Sequence, residues 1–238
     1  MAGVPPTIEA ITKVGIIGAG RLGSSIACDL SMHGVQVILY DRDEQVTKPA
    51  ALQRTSYATL QPLSRLGYIP EIMVGNAVKN VRGVSSLEEL ASHRPQLIVE
   101  SIVEDMDAKI QLFKRLEEVT PSTTILATST ITLNVNTIAG ACRRPSNVLG
   151  VRFFLPCVLI PFVELTIANS TAPDVAKRVE SYLSTLHKTC SYGPSRRVLN
   201  RADINDYQIE QSKALGYYHD SIPMATPIPS APRGHSHH

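Results

Sequence analysis

Three glycines in the run Gly18-Ala19-Gly20-Arg21-Leu22-Gly23, with Asp41 after the next apolar stretch, are the residues whose spacing carries the clearest chemistry. Gly18 permits a tight turn, Gly20 lets the main chain approach a pyrophosphate without a Cβ in the way, and Gly23 allows close packing of a helix on a strand. Phosphates at such a turn face the free N–H groups and positive dipole end of the helix that follows. Asp41 stands where a carboxylate accepts hydrogen bonds from ribose hydroxyls and repels a 2′-phosphate, which favours NAD over NADP; the adjacent Arg42 offsets part of that repulsion.

A glycine triplet has this meaning only between a strand and a helix. Val14 to Ile17 is a short β-branched run, Ser24 to His33 has helical spacing that Gly34 ends, and Val35 to Tyr40 reads as a second strand. Together they form a βαβ unit with parallel strands. The alternation continues: an apolar run over 97–103, a helix over Met106 to Val119, a strand over Thr124 to Thr128, and a short helix over Val135 to Ala141. Strands follow over Val148 to Phe154 and Phe162 to Ile167, then a helix over Pro173 to Leu186 capped by Asn169, Ser170 or Thr171. This pattern predicts an α/β fold with a Rossmann-type doubly wound, mostly parallel sheet over 1–190. From Ser191 the pattern breaks. The segment 191–238 reads as a poorly ordered tail with one helix candidate from Asp203 to Leu215 and a proline-rich stretch over 221–234.

Composition narrows the function classes. With 43% hydrophobic and 18% charged residues in 238, the chain is globular in type, and a net charge of +2 is too small for a nucleic-acid surface. No run approaches the ~18 apolar residues of a membrane span. The start of the chain lacks a signal or transit pattern, so the expected compartment is the cytoplasm. Cys28, Cys142, Cys157 and Cys190 lack metal or disulfide spacing, and the terminal His235, Ser236, His237 and His238 read as a tail rather than a metal site.

Four blocks in order, GIIGAGRLGSSIACDL, VESIVEDMDAKIQLFKRLEE, ILATSTITLNV and VRFFLPCVLIPFVEL, resemble the L-3-hydroxyacyl-CoA dehydrogenases over about Lys13 to Cys190. The resemblance implies NAD as cofactor, an acyl-CoA-like small-molecule ligand, and Glu104 and Lys109 as cofactor contacts; on the residues alone these two could be a solvated pair at a helix end. Family members also dimerise through a C-terminal helical domain. Here only Gly193 to Arg201 resembles its junction, so the usual dimer contact is missing, the oligomeric state stays open, and the closed acyl cleft is expected to be incomplete unless a partner covers it.

At the reacting centre the sequence departs from the family. The family's serine, histidine and asparagine positions fall on Ile131, Arg152 and Leu155, while Glu164 matches the glutamate that orients the histidine. Arginine stays protonated near neutral pH and cannot serve as the base that removes a hydroxyl proton. Arg152 and Glu164 therefore make either a partly buried ion pair in a silent site or, with Arg152 as a bidentate donor, a site for an anionic ligand. Ser129, Thr130 and Thr132 offer hydroxyls to a ligand or, more commonly for such loops, to the backbone. The expected function is an NAD(H)-binding protein with hydroxyacyl-CoA oxidation lost or severely impaired, a possible pseudoenzyme. The alternatives are an active oxidoreductase using Glu164, a water or another chain as base, and a non-catalytic interaction module.

Overall fold

A computed structural model describes residues 10–193. The helix candidate at 203–215, the proline-rich stretch and the terminal histidines lie outside the described residues. In chain order the elements are β1 (Lys13–Ile17), α1 (Arg21–Met32), β2 (Gln36–Tyr40), α2 (Glu44–Thr47), α3 (Pro49–Arg65), α4 (Glu71–Asn80), β3 (Val81–Val84), α5 (Leu87–Ser92), β4 (Leu97–Glu100), α6 (Met106–Val119), β5 (Ile125–Thr128), α7 (Val135–Gly140), β6 (Val148–Phe153), β7 (Phe162–Thr166), α8 (Pro173–Thr185) and β8 (Thr189–Tyr192). A 3₁₀ turn, Pro145–Asn147, precedes β6.

The strands form one sheet in the order β3-β2-β1-β4-β5-β6-β7-β8. All pairs are parallel except β6 with β7, where Arg152 stands opposite Glu164. The chain leaves β1 toward one edge and returns through β4 toward the other, so the rim between β1 and β4 is the switch point at which such sheets bind ligands.

Both faces are covered because strand side chains alternate. Val14, Ile16, Val37, Leu39, Leu97 and Val99 pack with Ile26 and Leu30 of α1 and with Val179 and Leu183 of α8. Ile17, Ile38, Ile98 and Leu126 pack on the other face with Leu90 of α5, Phe113 and Leu116 of α6, and Ile138 of α7. Phe113 and Leu116 are fully buried, worth roughly 1.5–3 kcal/mol each. The outer side of α1, through Cys28 and Met32, meets Leu60 of α3 and Val74 and Ala77 of α4. Helix α1 is thus sandwiched, and the turn that opens it is held from both sides.

Three local readings change. The α3–α4 hairpin and β3 fill a region for which the sequence offered no assignment. Strand β8 runs through Tyr192, past the expected break at Ser191, as an edge strand of mixed small and polar residues. Helix α8 has Ala172 at its N-cap with no side-chain cap, since the Thr171 hydroxyl instead donates to the Val148 carbonyl (2.6 Å) and accepts from the Ala168 amide (3.0 Å).

Candidate functional site

The predicted residues gather on the rim formed by the C-terminal ends of β1, β2, β4 and β5 and the adjoining part of β6. Gly18 has φ +98°, a region that favours glycine, and an added Cβ would stand 2.7 Å from the Ser101 carbonyl oxygen. At Gly23 a Cβ would overlap the Gly18 carbonyl oxygen and come within 2.5 Å of Ser101 Oγ. At Gly20 it would meet nothing within 4 Å. Two glycines therefore serve the turn itself, while the face at Gly20 is open. Gly20 is the N-cap of α1 with no side-chain cap, which leaves first-turn N–H groups for an anion. These features fit a dinucleotide pyrophosphate.

Asp41 Oδ2 accepts from the Ala19 amide at 2.7 Å and Oδ1 from the Asp43 amide at 2.9 Å, so the carboxylate fixes the glycine turn from the end of β2. The Ser101 hydroxyl lies 3.3 and 3.2 Å from the carbonyls of Ile17 and Gly18 and ties the turn to the end of β4. Arg21 and Leu22 follow in the opening turn of α1. Ala19, Gly20, Arg21 and Ser24 line a cleft of about 820 Å³, together with Gln45 and Arg54 beyond β2 and with Leu155 and Pro156 after β6.

Lys109 and Glu104 are not a solvated pair. Lys109 is 1% exposed, and its ammonium lies 2.5 Å from Glu100 Oε1 and 3.5 Å from Glu104 Oε2. Glu100 is the last residue of β4, completely buried; it also accepts from the Ile102 amide (2.7 Å) and the Thr128 hydroxyl (2.8 Å). Sequence reasoning missed it, although a carboxylate closing the apolar strand Leu97-Ile98-Val99-Glu100 is a visible signal. A buried charge of this kind requires a partner nearby.

Glu104 reaches across to the loop after β5. Its Oε1 accepts from Thr130 Oγ1 (2.5 Å), the Ile131 amide (2.7 Å), the Thr132 amide (2.8 Å) and Thr132 Oγ1 (3.1 Å). Burial pushes this carboxyl up, but the bonds from Thr130, Thr132 and Ile131, with Lys109 beside it, outweigh that and hold it below the usual carboxylate range. The Ser129 hydroxyl donates to the Glu100 carbonyl at 2.7 Å. The loop hydroxyls are thus engaged within the protein.

The same loop is gripped from its other side by Arg152. The guanidinium donates to the Thr130 carbonyl through Nε (3.3 Å) and one terminal nitrogen (3.2 Å), and that nitrogen also donates to the Ile131 carbonyl (3.0 Å). The second terminal nitrogen lies 2.9 Å from Glu164 Oε1. Glu164 has no exposed surface, and a Cβ at Gly193 would overlap its carboxyl group, so the β8 end of the chain lies directly over it. Arg152 donates through Nε and one terminal nitrogen to the loop, while its second terminal nitrogen is paired by charge with a Glu164 carboxylate that accepts no hydrogen bond among the described residues.

The chain that carries this site is similar to known proteins. The family model for the NAD-binding domain of 3-hydroxyacyl-CoA dehydrogenases covers residues 13–191. The chain belongs to the 3-hydroxyacyl-CoA dehydrogenase family. A 3-hydroxybutyryl-CoA dehydrogenase of Mycobacterium tuberculosis is 31% identical over 179 residues, 75% of this chain and 61% of that protein. The Escherichia coli 3-hydroxyadipyl-CoA dehydrogenase is 30% identical over 172 residues, 71% of this chain and 35% of that one. The solved structure of M. tuberculosis FadB2 is similar with a TM-score of 0.76 at 28% identity, covering 88% of this chain and 74% of that chain. The chain thus spans about 61% of the length of the first of these relatives. Its cofactor is NAD, and the fold is the family's Rossmann-type domain.

Proposed function

We propose that this family member binds NAD(H) at Gly18, Ala19, Gly20, Arg21, Leu22, Gly23 and Asp41, with Glu104 and Lys109 shaping the far end of the site, and has lost 3-hydroxyacyl-CoA oxidation. The observation that carries the second half is the engagement of Arg152 with the carbonyls of Thr130 and Ile131 and with Glu164. Bound NAD supplies a hydride acceptor; the protein must supply a group that takes the hydroxyl proton. At the position of the family base stands a guanidinium that has no lone pair to accept it. Glu164 is sealed behind Arg152 and Gly193 and has no path to a substrate hydroxyl.

The loop that resembles the hydroxyl-binding segment turns its amides to Glu104 and its carbonyls to Arg152, presenting Ile131 instead of a serine. Leu155, at the family asparagine position, stands at the cleft wall and adds no hydrogen bond. Loss of a general base alone removes ~10²–10⁴-fold in rate. The second ligand is of the acyl-CoA type named for the relatives, held without being oxidised.

The test is the combined variant Arg152→His, Ile131→Ser and Leu155→Asn. It is expected to gain oxidation of a 3-hydroxyacyl-CoA by at least ~10²-fold over the native chain while its NADH affinity stays the same. A folded, NADH-binding triple variant with no gain refutes the assignment of the silence to these three positions.

A further inference from the structure

Lys188, just before β8, is buried; its ammonium donates to two loop carbonyls and is paired by charge with Asp29. The nitrogen lies 2.7 Å from the Cys157 carbonyl, 3.2 Å from the Ile160 carbonyl and 2.8 Å from Asp29 Oδ2. Asp29 has no exposed surface and lies on α1, the helix opened by the glycine turn. Cys157 to Ile160 continue from Leu155 and Pro156, which line the same cleft as Ala19, Gly20 and Arg21. The Cys157 amide makes a second tie to α1, donating to Ser25 Oγ at 3.3 Å. One buried cation thereby joins the helix behind the glycine turn to the loop that walls the cleft.

An apolar side chain at this place would also fill space between α1 and the loop. A cation that donates to both the Cys157 and the Ile160 carbonyl also fixes where these two carbonyls point, which an apolar group does not. Burying an ammonium is unfavourable without such partners, and Asp29 supplies the opposite charge from the neighbouring helix. Neither Asp29 nor Lys188 lines the cleft, so neither touches a ligand there. We propose that Lys188, with Asp29 as its counter-ion, is a positioning residue for the NAD(H) cleft, setting the distance and orientation of the 155–160 wall relative to the glycine turn. The proposal rests on the reading that this cleft takes NAD(H).

The experiment uses the double variant Asp29→Asn, Lys188→Met in the full chain, which removes both charges without stranding either. Two quantities are read: the NADH dissociation constant by fluorescence, and amide exchange over residues 157–160 in the absence of ligand. The expected result is a cooperative thermal transition close to that of the native chain, a roughly tenfold weaker NADH affinity, and faster exchange over 157–160. A purely structural pair moves the thermal transition and leaves the affinity of the folded variant alone. An affinity within twofold of native overturns the proposal, whatever the exchange over 157–160. If the native chain takes no NADH, the cofactor reading falls separately, and exchange over 157–160 still decides whether Lys188 orders the wall. If the double variant does not fold, Asp29→Asn, which keeps both carbonyl bonds, is expected to raise the dissociation constant severalfold and speed exchange; no change in either overturns the inference.

Discussion

Replacing Arg152 with Met removes the guanidinium and leaves Glu164 as an uncompensated carboxylate with no exposed surface. Breaking a buried pair by deleting one partner destabilises by ~3–5 kcal/mol. The Thr130 carbonyl, on a buried residue, also loses both of its guanidinium donors, whereas Ile131 is part-buried and water replaces its bond. With a urea dependence of roughly 2 kcal/mol per molar, the unfolding midpoint is expected to fall by about 1.5–2.5 M. The double variant Arg152→Met, Glu164→Leu removes both charges and is expected to lie within about 2 kcal/mol of native, because apolar replacement of a buried pair is commonly neutral and the unpaired Thr130 carbonyl is the main remaining cost. Equilibrium urea unfolding followed by far-UV circular dichroism gives all three midpoints. The reasoning is refuted if the single variant loses less than about 1 kcal/mol, or if the double variant is as unstable as the single one.

Gly20→Ala places its methyl group where no protein atom lies within 4 Å, so thermal stability should shift by no more than about 1 kcal/mol while NADH affinity drops in a fluorescence titration. Gly23→Ala instead meets the Gly18 carbonyl and Ser101 and should lose at least ~1–3 kcal/mol of stability in the same melts. Equal stability losses for the two would contradict the roles assigned to the turn. Glu104 has its folded pKa held below the unfolded value of about 4.3, so its ionised form stabilises the fold above that value and the contribution is lost as pH falls through the folded pKa. Melting curves from pH 7 to pH 3 should therefore show native protein more stable than Glu104→Gln at neutral pH, with the gap closing in acid; a gap that widens in acid would reverse the sign.

The βαβ unit was legible because its signals are local: the glycine turn, the β-branched run before it and Gly34, which takes φ +86° after α1. The α3–α4 hairpin gave no such signal. Pro62 lies inside α3, Gly75 inside α4, and the brief β3 contains Gly83, so neither a clean helical period nor a strand pattern stands out. Spacing singled out the glycine turn and Asp41, and family resemblance alone singled out Glu104 and Lys109. The surroundings of Lys109 were not, because its partner Glu100 reads as part of an apolar strand until β4 and α6 are brought together. Asp29 and Lys188 were invisible for the same reason at longer range. One lies in the apolar pattern of α1 and the other in a short edge segment, and only the packing of β8 and the 154–161 loop against α1 joins them.

The central claim is cofactor binding without 3-hydroxyacyl-CoA oxidation, and a single preparation tests both halves. Purified native chain is titrated with NADH by fluorescence, then supplied with NAD and 3-hydroxybutyryl-CoA while absorbance at the NADH band is followed. Saturable NADH binding with no turnover above the protein-free control is the predicted result, and sustained NADH production by the native chain would contradict it.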